Sequence, residues 1–303
     1  MFTILHVDML VGSHVDVFTL LQDYPSIGKQ VDMYTCLHED MYTERGIKMR
    51  IVSVANIKGG VGKSTACSVM ASGLAIKGCK VLLVDSDPQA NLTMCFLQEL
   101  LDEMPSLYHV YSAGRSIDDV KISVKNRIDL VSGDFSLCNA DMQFLKPSRL
   151  KMLQRAIRSI DSEYDFVIVD TPPNMGILSL NAFMASDYII VPMAADSFSL
   201  KGVRLLKQTL DDISEEIEKE LPVAGILLTR YNGRTNISKL LETSINSAAE
   251  LLETTVFKNR IRQAVVMQES QIAKQDIFTY APNAPVADDY RGFVDELLQR
   301  IGV

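Results

Sequence analysis

Residues 52–65 read Val52-Ser-Val-Ala-Asn-Ile-Lys-Gly-Gly-Val-Gly-Lys-Ser-Thr65, a β-branched run followed by three glycines and a Lys-Ser-Thr segment. The β-branched residues have the composition of a buried parallel strand. The glycines allow backbone N–H groups to turn toward one point, and Lys63 opens an apolar helix that extends to about Lys77. A strand, a glycine-rich loop and a helix N-terminus in this order predict a cradle for an anion such as a phosphate group.

The loop departs from the ordinary phosphate-binding pattern at its entrance. That pattern is Gly-x-x-x-x-Gly-Lys-Ser/Thr, in which the lysine contacts the β- and γ-phosphates and the hydroxyl binds Mg²⁺. Gly62, Lys63 and Ser64 fit its last three positions. The position of the first glycine is occupied by Ile57, and Lys58 follows directly. The loop therefore contains a second lysine. The strand before it and the helix after it argue against a glycine-rich turn without a ligand.

Two further segments place carboxylates at the ends of apolar runs. They read Lys80-Val-Leu-Leu-Val-Asp-Ser-Asp-Pro-Gln-Ala-Asn91 and Asp165-Phe-Val-Ile-Val-Asp-Thr-Pro-Pro173. Ligands of open parallel sheets bind at the carboxyl ends of the strands. Asp85, Asp87 and Asp170 are therefore expected in one crevice with the glycine-rich loop.

Alternation of apolar strands with amphipathic helices predicts an α/β fold with a doubly wound, mostly parallel sheet and helices on both faces. The pattern places strands near 50–56, 81–86, 127–132, 166–170, 188–192 and 223–230, and helices near 63–78, 89–102, 148–160, 177–185, 200–217, 235–251 and 286–301.

The three segments resemble the deviant Walker A box, the second box and the Walker B box of the ParA/Soj/MinD ATPases. The order and spacing are similar over about residues 49–303, and the combination of Asp-Pro-Gln with Asp-Thr-Pro-Pro is similar to ParA/Soj partition ATPases. The resemblance implies a P-loop NTPase fold, ATP and Mg²⁺ as cofactors, and ATP hydrolysis that is slow without a partner.

Composition agrees with one large domain. The chain has 303 residues, is 47% hydrophobic and has a net charge of −8. No apolar run reaches the roughly 18 residues of a membrane span. The five cysteines are scattered without Cys-x-x-Cys spacing, which argues against a zinc site or a disulfide framework and indicates a reducing, cytoplasmic location.

Residues 1–48 differ from the remainder, residues 49–303, which are interpreted as one ParA-type ATPase domain. The first 48 residues carry seven acidic and three basic side chains, and they are too short and too acidic for a DNA-binding helix-turn-helix domain. They are either an acidic accessory extension, or Met49 is the true start of the protein. His6, His14 and His38 match no metal-ligand spacing.

The resemblance implies a role for each residue of the crevice. Lys63 contacts the β- and γ-phosphates, Ser64 binds Mg²⁺, and Asp85 and Asp170 lie near the metal. The predicted catalytic residues are Lys58, Asp87 and Asp85. Asp87 is expected to activate the attacking water, although Asp87-Pro88 also suits the start of a helix. The predicted nucleotide-binding set is Lys58, Gly59, Gly60, Val61, Gly62, Lys63, Ser64, Thr65 and Asn232. Asn232 is expected beside adenine, or else forms a turn ahead of Gly233.

Lys58 has no phosphate left to bind in its own subunit because Lys63 already serves that phosphate. In the family, the corresponding lysine reaches the nucleotide of a second subunit across a face-to-face dimer and stabilises charge that develops during hydrolysis. The resemblance therefore implies a homodimer that forms when ATP is bound. A solvated surface lysine is the alternative.

Three basic groups suggest non-specific DNA binding by this acidic chain and thus a nucleoid-associated protein. Arg234 matches an arginine that contributes to DNA binding in the family, whereas a second such arginine aligns near Asp211. Solvated surface faces are the alternative for each group. The groups are Lys201, Arg204 and Lys207; Arg230, Arg234 and Lys239; and Lys258, Arg260 and Arg262.

The resemblance also implies a ParB-like partner that stimulates hydrolysis. An ATP-switched regulator of transcription, replication or conjugative-element maintenance is the alternative, because the partner decides between the two functions. A MinD-like membrane ATPase should end in a basic amphipathic helix, which residues 293–303 do not form, so no membrane partner is expected. An electron-transfer iron protein would need a matched pair of cluster cysteines, and Cys95 and Cys138 lack that context.

Overall fold

The computed structural model describes residues 49–98, 104–144, 146–160, 163–194, 200–231 and 238–303. The segment 1–48 lies outside the described residues, as do Asn232 and Arg234, so the predictions for them stay predictions.

The core is a seven-stranded sheet with the order β3-β4-β2-β5-β1-β6-β7. The hydrogen-bonded pairs are parallel except for β3, which runs antiparallel to β4 at one edge. This confirms the doubly wound, mostly parallel sheet. The strands are β1 (Arg50–Val54), β2 (Val81–Asp85), β3 (Lys121–Lys125), β4 (Ile128–Val131), β5 (Phe166–Asp170), β6 (Tyr188–Ala194) and β7 (Val223–Thr229).

Helices cover both faces of the sheet. The α-helices of the described residues are α1 (Lys63–Ile76), α2 (Thr93–Phe96), α3 (Leu107–Ala113), α4 (Ala140–Phe144), α5 (Met152–Arg158), α6 (Ile177–Ala185), α7 (Leu200–Ile217), α8 (Ser238–Leu251), α9 (Val265–Ile272), α10 (Ile277–Tyr280) and α11 (Pro285–Ile301). Two 3₁₀ turns occupy Phe135–Asn139 and Pro147–Arg149.

Successive residues of β1 point to opposite faces, as the period of a strand requires. Val52 and Val54 join one hydrophobic cluster with α1 and α11, whereas Ile51 joins the other cluster with α5, α6 and α7. Both faces are buried, which explains why the central strands are continuous apolar runs.

The two edges of the sheet are protected in different ways. β3 begins and ends with lysine: Lys121 pairs with Glu163 at 2.9 Å, and Lys125 pairs with Asp276 at 2.7 Å. Charged side chains of this kind blunt an edge strand. The outer edge of β7 is paired with the chain that follows α8, since Phe257 N donates to Ile226 O and Ile261 N donates to Leu228 O.

The helix predicted at 89–102 is largely wrong over its described part. Only Thr93–Phe96 is helical, because Thr93 turns back to the carboxylate of Asp85. β3, α3 and α9 were not predicted. β3 has a mixed pattern of half-buried residues, and α3 and α9 have fewer than nine residues each, so their hydrophobic periodicity is weak.

The contact between α1 and α11 is close enough to require glycine at position 73. A Cβ at Gly73 would lie 2.9 Å from Val294 Cγ2, whereas a Cβ at Gly202 in α7 would have its nearest neighbour at 4.0 Å. We expect Gly73→Ala to lower the free energy of unfolding by about 1–2 kcal/mol through overpacking. Gly202→Ala, the matched control, should be neutral or stabilising by up to roughly 1 kcal/mol because alanine favours a helix. Urea denaturation measures both, and equal effects of the two substitutions would contradict the packing explanation.

Candidate phosphate-binding site

The loop between β1 and α1 has the backbone of a phosphate cradle. Gly60 and Gly62 have φ angles of +75° and +86°, in the left-handed region that glycine adopts without strain. Gly62 is the residue directly before α1, and its carbonyl accepts a hydrogen bond from Ala66 N at 2.9 Å. The N-terminus of a 14-residue helix therefore faces the loop.

Thr229, the last residue of β7, supports this loop from below. Its hydroxyl donates to Val61 O at 2.8 Å, and its side chain is buried. A Cβ at Gly62 would lie 3.8 Å from Thr229 Cγ2. No sequence pattern predicts this contact, because the two residues are 168 positions apart.

A cavity of about 780 Å³ opens above the loop, enough for a nucleotide-sized ligand. Lys63 lies in its wall and is only 7% exposed. Burial lowers the pKa of Lys63, and the nearby Asp170 and Asp87 carboxylates oppose that effect. The lining residues are Gly59, Gly60, Gly62, Lys63, Ser64, Thr65, Asp87, Gln89, Asn91, Met94, Cys95, Pro173, Arg230, Gln268, Gln271, Ile272 and Lys274.

Asp85 and Asp170 lie side by side below the cavity, because β2 and β5 pair with these two residues in register. The carboxylate of Asp85 accepts hydrogen bonds from Thr93 N at 2.8 Å, Thr93 Oγ1 at 2.7 Å and Asp87 N at 3.1 Å. Burial raises the pKa of Asp85 to about 6, although these hydrogen bonds lower it. Asp85 thus anchors the loop that follows β2, and its predicted roles in catalysis and near the metal stay predictions.

Asp170 is fully buried, and neither of its carboxyl oxygens has a well-formed hydrogen bond within the described part of the chain. Burial and the Asp85 carboxylate raise the pKa of Asp170 well above its ordinary value, and the nearby Ser64 hydroxyl and Lys63 lower it in part. A buried carboxylate without partners is costly unless a cation or a bound water satisfies it.

The residues around Asp170 fit a magnesium ion held mainly by phosphate and water. Ser64 lines the cavity and supplies a hydroxyl close to Asp170. Among the described residues, no cluster of three or more His, Cys, Asp or Glu side chains could hold a metal ion. Mg²⁺ uses few protein ligands when substrate phosphates are present, so this donor set suits it.

Asp87 lies in the cavity wall and is 6% exposed. Its carboxylate accepts a hydrogen bond from Gln89 N at 2.9 Å. This bond forms a turn, because no helix begins at Gln89. Asp87 therefore closes a turn and does not cap a helix, and its side chain lies beside the space where a nucleotide would bind.

Lys58 is exposed and does not line the cavity of the described structure. Its backbone N–H donates to Asn56 Oδ1 at 2.9 Å, and Asn56 Nδ2 donates to Pro192 O at 2.7 Å. The position is compatible with a lysine that acts outside its own subunit.

α9 contributes a wall of the cavity that the sequence did not predict. Gln271 Nε2 donates to Thr65 Oγ1 at 2.9 Å, and Gln268 lies one helical turn earlier in the same wall. No motif marks this helix, so only the fold could bring it to the site.

The basic residues predicted to bind DNA do not form one equivalent set. Lys201 and Arg204 are exposed on α7 without an ion pair among the described residues, whereas Lys207 pairs with Asp211 at 2.5 Å and with Glu253 at 3.3 Å. Arg262 forms a two-pronged pair with Asp289 at 2.6 and 2.7 Å.

Two other predicted DNA contacts lie elsewhere. Arg230, whose φ angle is +51°, lines the cavity. The guanidinium of Arg260 lies 4.8 Å from the centre of the Tyr231 ring.

Within the described residues, no helix is long and apolar enough to cross a membrane.

Known proteins are similar to this chain over most of its length. A protein-family model described as an AAA domain matches residues 49–223. The sporulation initiation inhibitor protein Soj of Bacillus subtilis is 30% identical over 250 residues, which cover 82% of this chain and 98% of Soj. The chromosome-partitioning ATPase Soj of Thermus thermophilus is 32% identical over 261 residues, which cover 84% of this chain and 97% of that protein.

A solved structure agrees with the fold. The crystal structure of cobyrinic acid a,c-diamide synthase from Mycobacterium smegmatis with bound ADP and magnesium has a TM-score of 0.72 to this chain. The two are 28% identical, and the match covers 84% of this chain and 96% of the other.

The unpartnered carboxylate of Asp170 generates a prediction about stability. Without ligands, Asp170→Asn should raise the free energy of unfolding by about 1–3 kcal/mol, because it removes a buried carboxyl group whose ionised form is unfavourable next to Asp85. Asp165→Asn is the matched control at the other end of β5, where the carboxylate accepts a hydrogen bond from Lys80 N at 2.7 Å. That control should be neutral or destabilising in the same urea titration. A less stable Asp170→Asn protein would contradict the interpretation.

Proposed function

This chain belongs to the AAA domain family and, within it, to the Soj/ParA group of partition ATPases, and from that premise we propose that it is an ATP-dependent dimerising switch. In this proposal the switch binds DNA non-specifically and acts in plasmid or chromosome partition. Residues 49–303 act as one ATPase domain in this proposal. The observation that carries it is the buried Asp170 carboxylate beside Ser64, below a glycine cradle that contains Lys63.

ATP and Mg²⁺ are the proposed ligands of the cavity. The backbone of Gly60 and Gly62, the α1 N-terminus and Lys63 together form a site for the phosphates of a nucleotide. Ser64 would bind Mg²⁺ with its hydroxyl and Asp170 would lie near the ion, which would neutralise charge on the phosphates. The related structure with ADP and magnesium supports this assignment.

Asp87 is the proposed residue that orients the attacking water. It is the one carboxylate of the three at the strand ends that lines the cavity. One of its oxygens is held by Gln89 N, so the side chain is fixed in place before a substrate arrives. Such fixed positioning is the main contribution of a protein to phosphoryl transfer.

Lys58 is proposed to complete the site of a second subunit. The loop around it is open, since a Cβ at Gly59 or Gly60 would have no neighbour within 4 Å in the described structure. A cation that arrives from a partner can stabilise charge that develops on the transferred phosphoryl group. Hydrolysis then requires the ATP-bound homodimer, and a ParB-like partner that orders this arrangement would accelerate it.

DNA binding is assigned to the exposed start of α7. Lys201 and Arg204 have no carboxylate partner in the described structure, so their charges are available to phosphates. Lys207 and Arg262 are already neutralised by acidic neighbours. Arg230 is assigned to the nucleotide instead, since it lines the cavity.

The role of Lys58 gives the main test of this function. Lys58→Ala should bind a fluorescent ATP analogue within about twofold of wild type, yet lose ATP-dependent dimerisation and at least roughly tenfold in turnover. Lys63→Ala should lose nucleotide binding itself. Lys151→Ala, a change at the first residue before α5, is the neutral control. Light scattering and phosphate release measure these effects, and wild-type dimerisation and turnover in Lys58→Ala would refute the proposal.

The charge assignment gives a second test. A Lys201→Glu/Arg204→Glu protein should bind DNA at least about tenfold more weakly in the presence of ATP, with a shallower dependence on salt. Arg230→Ala should instead raise the dissociation constant for nucleotide in the absence of DNA. Fluorescence anisotropy with labelled DNA and with labelled nucleotide separates the two effects. An Arg230→Ala protein with unchanged nucleotide affinity would return this residue to the DNA-binding set.

A further inference from the structure

We infer that Asn56 is a positioning residue that fixes the backbone of Lys58 before a second subunit arrives, an inference that rests on the proposed dimer. The evidence is a pair of hydrogen bonds through one side chain. Asn56 Oδ1 accepts from Lys58 N at 2.9 Å, and Asn56 Nδ2 donates to Pro192 O at 2.7 Å.

The first of these bonds closes a turn. An Asn side chain that accepts the N–H two residues later mimics a backbone turn and holds the following residue in one direction. Ala55 is still part of the sheet, since its N–H donates to Ile190 O at 2.9 Å. Asn56 therefore marks the point where the chain leaves the sheet, and the turn determines where Lys58 emerges.

The second bond ties this turn to the rigid core. Pro192 lies inside β6, where it pairs with Leu227 of β7. Position 192 itself lacks a backbone N–H because it is proline, but its carbonyl is free to accept from Asn56. The amide of Asn56 thus links the loop to a strand at the centre of three paired strands.

Ile57 adds a third anchor between the two ends of the turn. It is partly buried and packs against the hydrophobic cluster that includes α7. A Cβ at Gly202, in the first turn of α7, would lie 4.0 Å from Ile57 Cβ. Asn56 and Ile57 are held on both sides, whereas Lys58, Gly59 and Gly60 are exposed.

This arrangement orders the backbone of Lys58 and leaves its side chain exposed. A long side chain that must reach a nucleotide in another subunit loses less conformational freedom on binding if its backbone is already ordered. Asn56 contributes this order without contacting the nucleotide cavity of its own subunit, whose lining in the described structure does not include it. Its loss should therefore affect dimerisation and hydrolysis more than nucleotide binding.

The experiment compares Asn56→Ala, Lys58→Ala and the double variant in the full chain. Asn56→Ala should bind a fluorescent ATP analogue within about twofold of wild type, and lose roughly five- to tenfold in ATP-dependent dimerisation and turnover. In the Lys58→Ala background, Asn56→Ala should cause no further loss, because both changes remove the same interaction. Asn56→Asp keeps the acceptor for Lys58 N but not the donor to Pro192 O, and should fall between Asn56→Ala and wild type.

Asn181→Ala is the control for a purely structural role. Asn181 also bridges backbone groups, accepting from Met152 N at 2.9 Å and donating to Arg149 O at 3.0 Å, and it is buried away from the loop. It should lower the thermal midpoint without a change in the ratio of turnover to nucleotide affinity.

Three results would overturn the inference. In the first, Asn56→Ala is folded and dimerises and turns over as wild type while Lys58→Ala does not, which leaves the proposed function intact. In the second, the losses of Asn56→Ala and Lys58→Ala are additive, which makes Asn56 a structural residue only. In the third, Lys58→Ala itself has no effect, which removes the proposed function together with this inference.

Discussion

Two carboxylates buried at adjacent strand ends and one ammonium group buried at the start of the neighbouring helix are the constraint on which the site depends. Asp85 and Asp170 are opposite each other in neighbouring strands, and Lys63 begins the helix above them. Burial raises the pKa of both carboxyl groups and lowers the pKa of the lysine, so each charge is unfavourable alone. The arrangement is balanced when further positive charge and acceptor oxygens are present together. A nucleotide with its metal ion supplies both, so these buried charges favour its binding.

The sequence predicted the parts of the molecule that depend on local pattern. Ile51 and Val52 pack into different hydrophobic clusters, as the two-residue period of a strand predicts. Gly60 and Gly62 adopt positive φ angles, as expected of glycines in a phosphate-binding loop. Asp85 and Asp170 could be brought together because parallel strands end at the same edge. The helix expected after Asp87 failed because Thr93 forms a better contact with a buried carboxylate than a continued helix would allow.

What the sequence could not predict depends on contacts between distant residues. Thr229 supports the phosphate loop, and Arg230 enters the cavity, only because β7 ends beside it. Basic spacing groups Arg230 and Lys207 with the residues predicted to bind DNA, but spacing contains no information on where acidic neighbours lie. The ion pair of Lys207 with Asp211 is local and could have been noticed, whereas its second partner, Glu253, is brought in by the fold.

The protected edges of the sheet restrict how two copies of this chain can meet. The β3 edge carries lysines in ion pairs, and the β7 edge is already hydrogen-bonded to the chain around Phe257 and Ile261. Neither described edge therefore offers a second copy a row of unpaired backbone groups for adding a strand. This disfavours assembly through a continuous sheet, which could extend without limit. In the proposed ATP-bound homodimer, contact across the loop edge would pair one surface with its own copy and stop at two subunits, so loss of the γ-phosphate could reverse it.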